Sequence, residues 1–308
     1  MKILPVLFLL ITLSACGRNT DDTNDTLDTN NPVPHGELWA DIAPIPTVRV
    51  QGGSNFSPSM SNLYGTPIVV QDFYIGQFQV TQREWLEIME ENPSLFQGEA
   101  FLDHPVERVS WYDAIIFLNR RSEMAGLQPF YNIDKDTLCD ALYINPLDDD
   151  IDTIRWTITT NPTANGYRLP TEIEWEYAAG GGNLTRGYSF SGSNDPFEVG
   201  FTFRNSGDEF LDGLWHWPAL EANNGRTHPA GSLAPNELGI YDMSGNVREW
   251  IYNWHQPYAL TPATGYGRSV RGGSWVSGED AARVDFRNYL SPHFYFEELG
   301  FRVARNAP

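Results

Sequence analysis

The chain has 308 residues, with 40 Asp and Glu against 20 Lys and Arg, for a net charge of −20. So large an acidic excess repels phosphate backbones, which excludes nucleic acid as an expected partner. Aromatic residues at 13% and ten tryptophans exclude disorder for the body of the chain.

The N-terminus reads Met1-Lys2, an apolar run from Ile3 to Leu13, then Leu13-Ser14-Ala15-Cys16. A charged start, a short apolar stretch and small residues before a cysteine predict a secretory signal, too short to span a bilayer. The cysteine sits where a bacterial lipobox places it, so cleavage before Cys16 and lipidation of Cys16 are expected; the alternative is an ordinary signal that contains a cysteine. Several acyl chains on one residue make a firm membrane anchor, and Gly17 after the cysteine favours the outer membrane or cell surface. The next twenty or so residues are Asp, Asn and Thr with almost no apolar side chain. They cannot offset their conformational entropy by burial, so a flexible tether is expected. The chain thus divides into a signal peptide (1–15), a tether (16–37) and one domain (38–308). Cys139 is the one further cysteine, so with Cys16 lipidated no intramolecular disulfide is expected, and Cys139 reads as a packing residue or a lone thiol.

Within the domain, Thr47–Gly53 and Ile68–Ile75 predict short strands around a turn. Three helices announce themselves by a hydroxyl followed three residues later by a carboxylate: Thr81 with Glu84, Ser110 with Asp113, and Thr171 with Glu174. This is capping-box spacing, in which each side chain satisfies a backbone donor of the first turn; aspartate, being shorter, makes the second box weaker. Trp85, Ile88, Trp111, Ile115, Phe117, Leu118, Trp175 and Tyr177 fall at helical spacing and read as core. The second helix is expected to stop near Gly126 and the third at Gly180-Gly181-Gly182. Beyond Gly180 the residues favour long loops on short strands over further helices. Helices scattered among short strands define an α+β fold, not a parallel α/β sheet.

Several blocks, in order, resemble the formylglycine-generating enzyme family, the sulfatase-modifying factor domain. They are Gln79-Val80-Thr81 with Glu84-Trp85; His104-Pro105-Val106 with Val109-Ser110-Trp111; Tyr167-Arg168-Leu169-Pro170-Thr171-Glu172 with Glu174-Trp175-Glu176-Tyr177-Ala178; and Gly239 to Trp250. The last block runs from Arg271-Gly272-Gly273-Ser274-Trp275 to Gly300-Phe301-Arg302-Val303, and together they span about Ile68 to Arg305. The resemblance implies a C-type-lectin-like fold. It also implies a calcium loop made by Asp242, Gly245, Val247 and Glu249, chemically reasonable because hard cations take oxygen ligands. The alternative is that Asp242 and Glu249 only cap the turn at Gly245-Asn246. A second calcium loop of the family would fall near Asn205 to Asp208, where the match is too loose to assign.

Active members of that family carry two cysteines after the Gly-Gly-Ser-aromatic turn, which bind copper and oxidise a cysteine of a sulfatase. Ser277 and Ala282 occupy the matching positions, and a hydroxyl and a methyl cannot replace the soft thiolates that select Cu(I). No copper and no catalytic residues are therefore expected. The six histidines show no His-x-x-x-His spacing, and no Gly-x-Ser-x-Gly elbow or Walker loop occurs.

The segment between Trp275 and Glu298 is rich in aromatic and polar residues, and in the copper enzymes it lines the face that holds peptide. Trp275, Ser277, Asp285, Phe286, Arg287, Tyr289, His293, Phe294, Tyr295 and Phe296 are the candidate ligand-binding residues, since aromatics and arginine dominate binding hot spots. The tail is also similar to variable proteins of diversity-generating retroelements, including spirochaete surface lipoproteins. The alternative is that these aromatics pack the last strands. Three classes remain: a lipid-anchored binder of a protein or glycan, a sulfatase-modifying oxidase, and a structural or assembly lipoprotein of the envelope.

Overall fold

The three helices form where the hydroxyl–carboxylate pairs place them. In the computed structural model, which describes residues 43–59, 67–135, 156–256, 265 and 267–308, they are α1 (Gln82–Met89), α2 (Trp111–Met124) and α3 (Glu172–Ala179). Each begins with both arms of its capping box closed. The aspartate box is no exception: Asp113 N donates to Ser110 Oγ at 3.1 Å and Ser110 N to Asp113 Oδ2 at 2.9 Å. The predicted signal peptide and tether, Cys16 and Cys139 lie outside the described residues, all of which belong to one unit, Ile42–Pro308.

The first predicted strand pair becomes two ladders. Strand β1 (Thr47–Val50) pairs antiparallel with β4 (Phe73–Gly76), and β2 (Gly53–Phe56) with β3 (Ile68–Val70). The break falls at Gly52, where a Cβ would lie 2.1 Å from the Val70 carbonyl oxygen. A further pair, β5 (Tyr131–Asp134) with β6 (Thr157–Thr160), flanks α2. Past α3 two very short helices, α4 (Pro196–Val199) and α5 (Trp217–Ala222), interrupt what the sequence reads as loop. Each has proline in its first turn, where the missing N–H costs nothing.

A four-stranded sheet carries the C-terminal half, in the order β10 (Leu299–Gly300), β7 (Arg248–Trp254), β8 (Arg268–Arg271), β9 (Asn288–Leu290). Its β10–β7 pair is parallel, with Gly300 opposite Glu249. The chain then returns through β11 (Ala304–Asn306) to the edge of β4, which sews the C-terminus into the first sheet. The helical aromatics are core, as their spacing predicts. Trp85 stacks on Phe117 at 5.3 Å with Phe301 edge-on to both. Trp111 and Trp250 are fully buried, and their indole N–H groups donate to the carbonyls of Ile251 and Val109. A buried tryptophan adds large apolar area without stranding its donor when such a partner is in place.

Candidate functional site

The parallel register of β7 and β10 creates the most polar point of the core. Because Gly300 lies opposite Glu249, Arg302 two residues later reaches the Glu249 carboxylate, donating from Nε at 2.8 Å and Nη2 at 2.7 Å. Trp175 of α3 donates its indole N–H to Glu249 Oε2 at 2.7 Å, and both charged side chains are fully buried. The loop before β7 turns through Gly245, whose φ of +88° and 2.3 Å approach to the Phe201 carbonyl admit only glycine. That turn aims the carbonyls of Asp242, Gly245 and Val247 at one point.

The four residues expected to hold calcium do converge, but around an amide nitrogen. Gln79 Nε2 lies 3.0, 3.3 and 2.8 Å from the carbonyl oxygens of Asp242, Gly245 and Val247, and 3.0 Å from Glu249 Oε1. The Asp242 carboxylate points away and accepts the Gly231 N–H at 2.7 Å; burial pushes it up to about 6. As the amide is oriented, Gln79 donates at the point expected for the cation, and Arg302 pairs with the Glu249 carboxylate, while Gln79 Oε1 has no partner among the described residues. Among the described residues no cluster of three or more His, Cys, Asp or Glu could hold a metal. Excess calcium or a chelator is expected to leave the melting temperature of the wild-type domain unmoved. Gln79→Glu sets a second carboxylate against Glu249, and its stability is expected to become calcium-dependent. A thermal scan with and without EDTA checks both, and a wild-type shift on chelation would contradict them.

The turn that follows β8 places the two positions where copper members carry thiols. Ser277 is buried, its Oγ 2.8 Å from Ser274 Oγ and accepting from Ser274 N at 3.1 Å and Arg248 Nη2 at 3.3 Å. Ala282 is fully buried beside Phe190 and Val199. One position is a hydroxyl tied into a local network and the other presents only carbon.

The tail residues divide by exposure, and part of the expected binding face lies buried. Trp275 is only 2% exposed, packed edge-on to Phe96 at 5.4 Å, with its indole N–H on the Glu297 carbonyl. Ser277 is buried as described. The Arg287 side chain, 6% exposed, makes a two-pronged bond to Glu172 at 2.7 and 2.9 Å. Burial drives the Glu172 carboxyl up, but the Arg287 and Arg271 guanidiniums outweigh it and the net direction is down. These three residues are scaffold because each spends its polar groups inward. Tyr289 stacks on His255, half-buried. His293, Phe294 and Phe296 form a ring cluster with centroids 4.6 and 5.3 Å apart. Of the set, Asp285, Phe286, Tyr295 and Phe296 are exposed.

Two features escape the sequence. Glu107 is fully buried, with Oε1 accepting from Leu95 and Phe96 N–H groups and Oε2 without a partner among the described residues. Burial pushes its carboxyl up to about 8. The second is a run of exposed apolar side chains at Phe210, Leu214, Trp215 and Trp217. The only sequence signal for it is apolar density within a Gly- and Asp-rich loop.

Short strands, long fixed loops and a closed C-terminal block define a C-type-lectin-like scaffold of the formylglycine-generating type. The chain belongs to the sulfatase-modifying factor enzyme 1-like domain family, whose profile matches residues 44–307. It is 45% identical over 259 residues to Chaperone protein LppX of Paenibacillus barcinonensis, covering 84% of this chain and 89% of that one. Against the formylglycine-generating enzyme of Streptomyces coelicolor it is 34% identical over 159 residues, 46% of this chain and 48% of the relative, so the likeness spans about half of each. Among solved structures it superposes on Treponema denticola variable protein 1 with a TM-score of 0.66 and 29% identity, covering 86% of this chain and all of that one.

Proposed function

We propose that this protein is a lipid-anchored binding module of the bacterial envelope, which grips a polypeptide through its C-terminal face and performs no copper oxidation. The observation that carries the reading is the division of the tail. Ser277 and Ala282 are locked into the scaffold with no thiol between them, while Tyr295 at 53% and Phe296 at 37% exposure face water, Phe296 resting on Phe294 and, through it, on His293. Rigid aromatics held in water by a packed base are the usual anchors of recognition. A relative named as a chaperone protein, aligned over most of both chains, supports a polypeptide over a glycan as the ligand. Likeness to a variable protein supports a constant scaffold under a changing face. Anchoring at the outer membrane or surface rests on Leu13 to Cys16.

The test uses fluorescein-labelled lysozyme, reduced and alkylated so that it stays unfolded, and reads fluorescence anisotropy. Wild type is expected to bind, and Tyr295→Ala with Phe296→Ala to bind at least about tenfold more weakly at an unchanged melting temperature. Equal binding by the variant contradicts the proposal. So does a wild type that ignores the polypeptide but binds a glycan array.

A further inference from the structure

The loop that ends in α5 carries four large apolar side chains within eight residues, all in water: Phe210, Leu214 at 94% exposure, Trp215 at 51%, and Trp217. Soluble domains scatter such residues singly, and a contiguous cluster marks a contact surface. The cluster is not a slack loop. Its base is clamped on both sides: Leu211 N donates to the Arg204 carbonyl at 2.8 Å and Arg204 Nη1 to the Leu211 carbonyl at 3.0 Å. Arg204 is itself ion-paired to Glu279. Asn223, just past α5, bonds both the N–H and the carbonyl of Glu209, at 3.0 and 2.7 Å. At the tip Gly213 turns with φ +94° and has nothing within 4 Å of its missing Cβ, so the tip is open to water, while Phe210 packs edge-on against Phe197 at 5.0 Å.

The ridge joins the C-terminal face. Trp217 leans on Trp275 at 6.2 Å, Trp275 meets Phe96 at 5.4 Å, and the Trp275 indole bonds the carbonyl of Glu297, next to Phe296. Trp275, which the sequence marks as a binding residue and the structure buries, is the hinge between two exposed aromatic groups. Charge states what the ridge would accept. Residues 205–222 include Asp208, Glu209, Asp212 and Glu221 and no lysine or arginine, and Glu209, Asp212 and Glu221 are all exposed. An apolar ridge rimmed by carboxylates is complementary to side chains that are apolar and cationic by turns, and it repels anionic lipid.

We infer that Phe210, Leu214, Trp215 and Trp217 form a second arm of the binding face, which takes an extended polypeptide segment carrying Leu or Phe beside Lys or Arg. This rests on the reading of the chain as a polypeptide binder and adds to it a site and a sequence preference.

The probe is a fluorescein-labelled octapeptide with Leu and Phe alternating with Lys, measured by anisotropy against the same peptide with Glu for Lys. Wild type is expected to bind the Lys peptide at least about tenfold more tightly than the Glu peptide, with affinity falling as salt rises. Leu214→Ser with Trp215→Ser is expected to lose about tenfold or more at an unchanged melting temperature. Glu209→Lys with Asp212→Lys should erase the preference for Lys. Unaltered binding by the Leu214/Trp215 variant overturns the inference. If Tyr295→Ala with Phe296→Ala alone loses the peptide, the C-terminal face stands and the ridge falls. If both variants bind like wild type, both readings fall. Absence of wild-type binding to the peptide overturns the inference, and so does a ridge that instead drives neutral vesicle binding or self-association in sedimentation.

Discussion

Replacing Glu249 with alanine is expected to cost about 3–5 kcal/mol of folding stability, because it leaves a buried guanidinium without its counter-charge. Arg302 reaches Glu249 with two nitrogens, and neither side chain touches water. The same change strips Trp175 of its indole partner and Gln79 of one of four acceptors. Three segments far apart in sequence meet at this carboxylate, so the loss falls on the whole domain and not on one loop. Removing both charges together, as Glu249→Leu with Arg302→Leu, should recover much of the loss, since an apolar pair carries no desolvation penalty. Urea unfolding of the three variants checks this. A Glu249→Ala loss below about 1 kcal/mol would mean that the pair contributes no more than a surface salt bridge.

Glu107 should make the domain less stable as pH rises. Burial lifts its carboxyl in the folded state to about 8, from an ordinary 4.5. The folded state therefore holds a proton that the unfolded chain releases, and stability falls between those values, with the full loss present above pH 8. A shift of that size corresponds to roughly 5 kcal/mol at most. Glu107→Gln keeps an oxygen for the Leu95 and Phe96 N–H groups and cannot ionise. It is expected to match wild type near pH 5 and to exceed it by a few kcal/mol near pH 9. Parallel pH profiles of the two proteins in urea unfolding would show that Glu107 does not titrate in this window.

What the sequence reveals here is what is local. Each capping box is a contact between residues three apart, so Thr81, Ser110 and Thr171 announce their helices, and the aspartate version forms as fully as the glutamate ones. The Glu249 site was half legible. The turn at Gly245 is a local pattern, whereas Gln79 and Arg302, which decide what the turn holds, arrive from 170 and 53 residues away. The tail shows a different limit. Composition marks Trp275, Arg287 and Phe296 alike, yet Trp275 is roofed by Phe96 and Trp217, Arg287 is turned in by Glu172, and only Phe296 faces out. Aromatics and arginine serve cores and contact faces equally well, so exposure follows from distant partners that residue type does not disclose.

On the proposed reading, a scaffold without two sulfurs near the Ser274 turn recognises polypeptides but does not oxidise them. The most direct measurement incubates the purified domain with Cu(I), oxygen and a peptide containing Cys-x-Pro-x-Arg, and reads the cysteine by mass spectrometry. An unchanged thiol is expected at every copper concentration that leaves the domain folded. Conversion of that cysteine to an aldehyde, above a control lacking the protein, would contradict it.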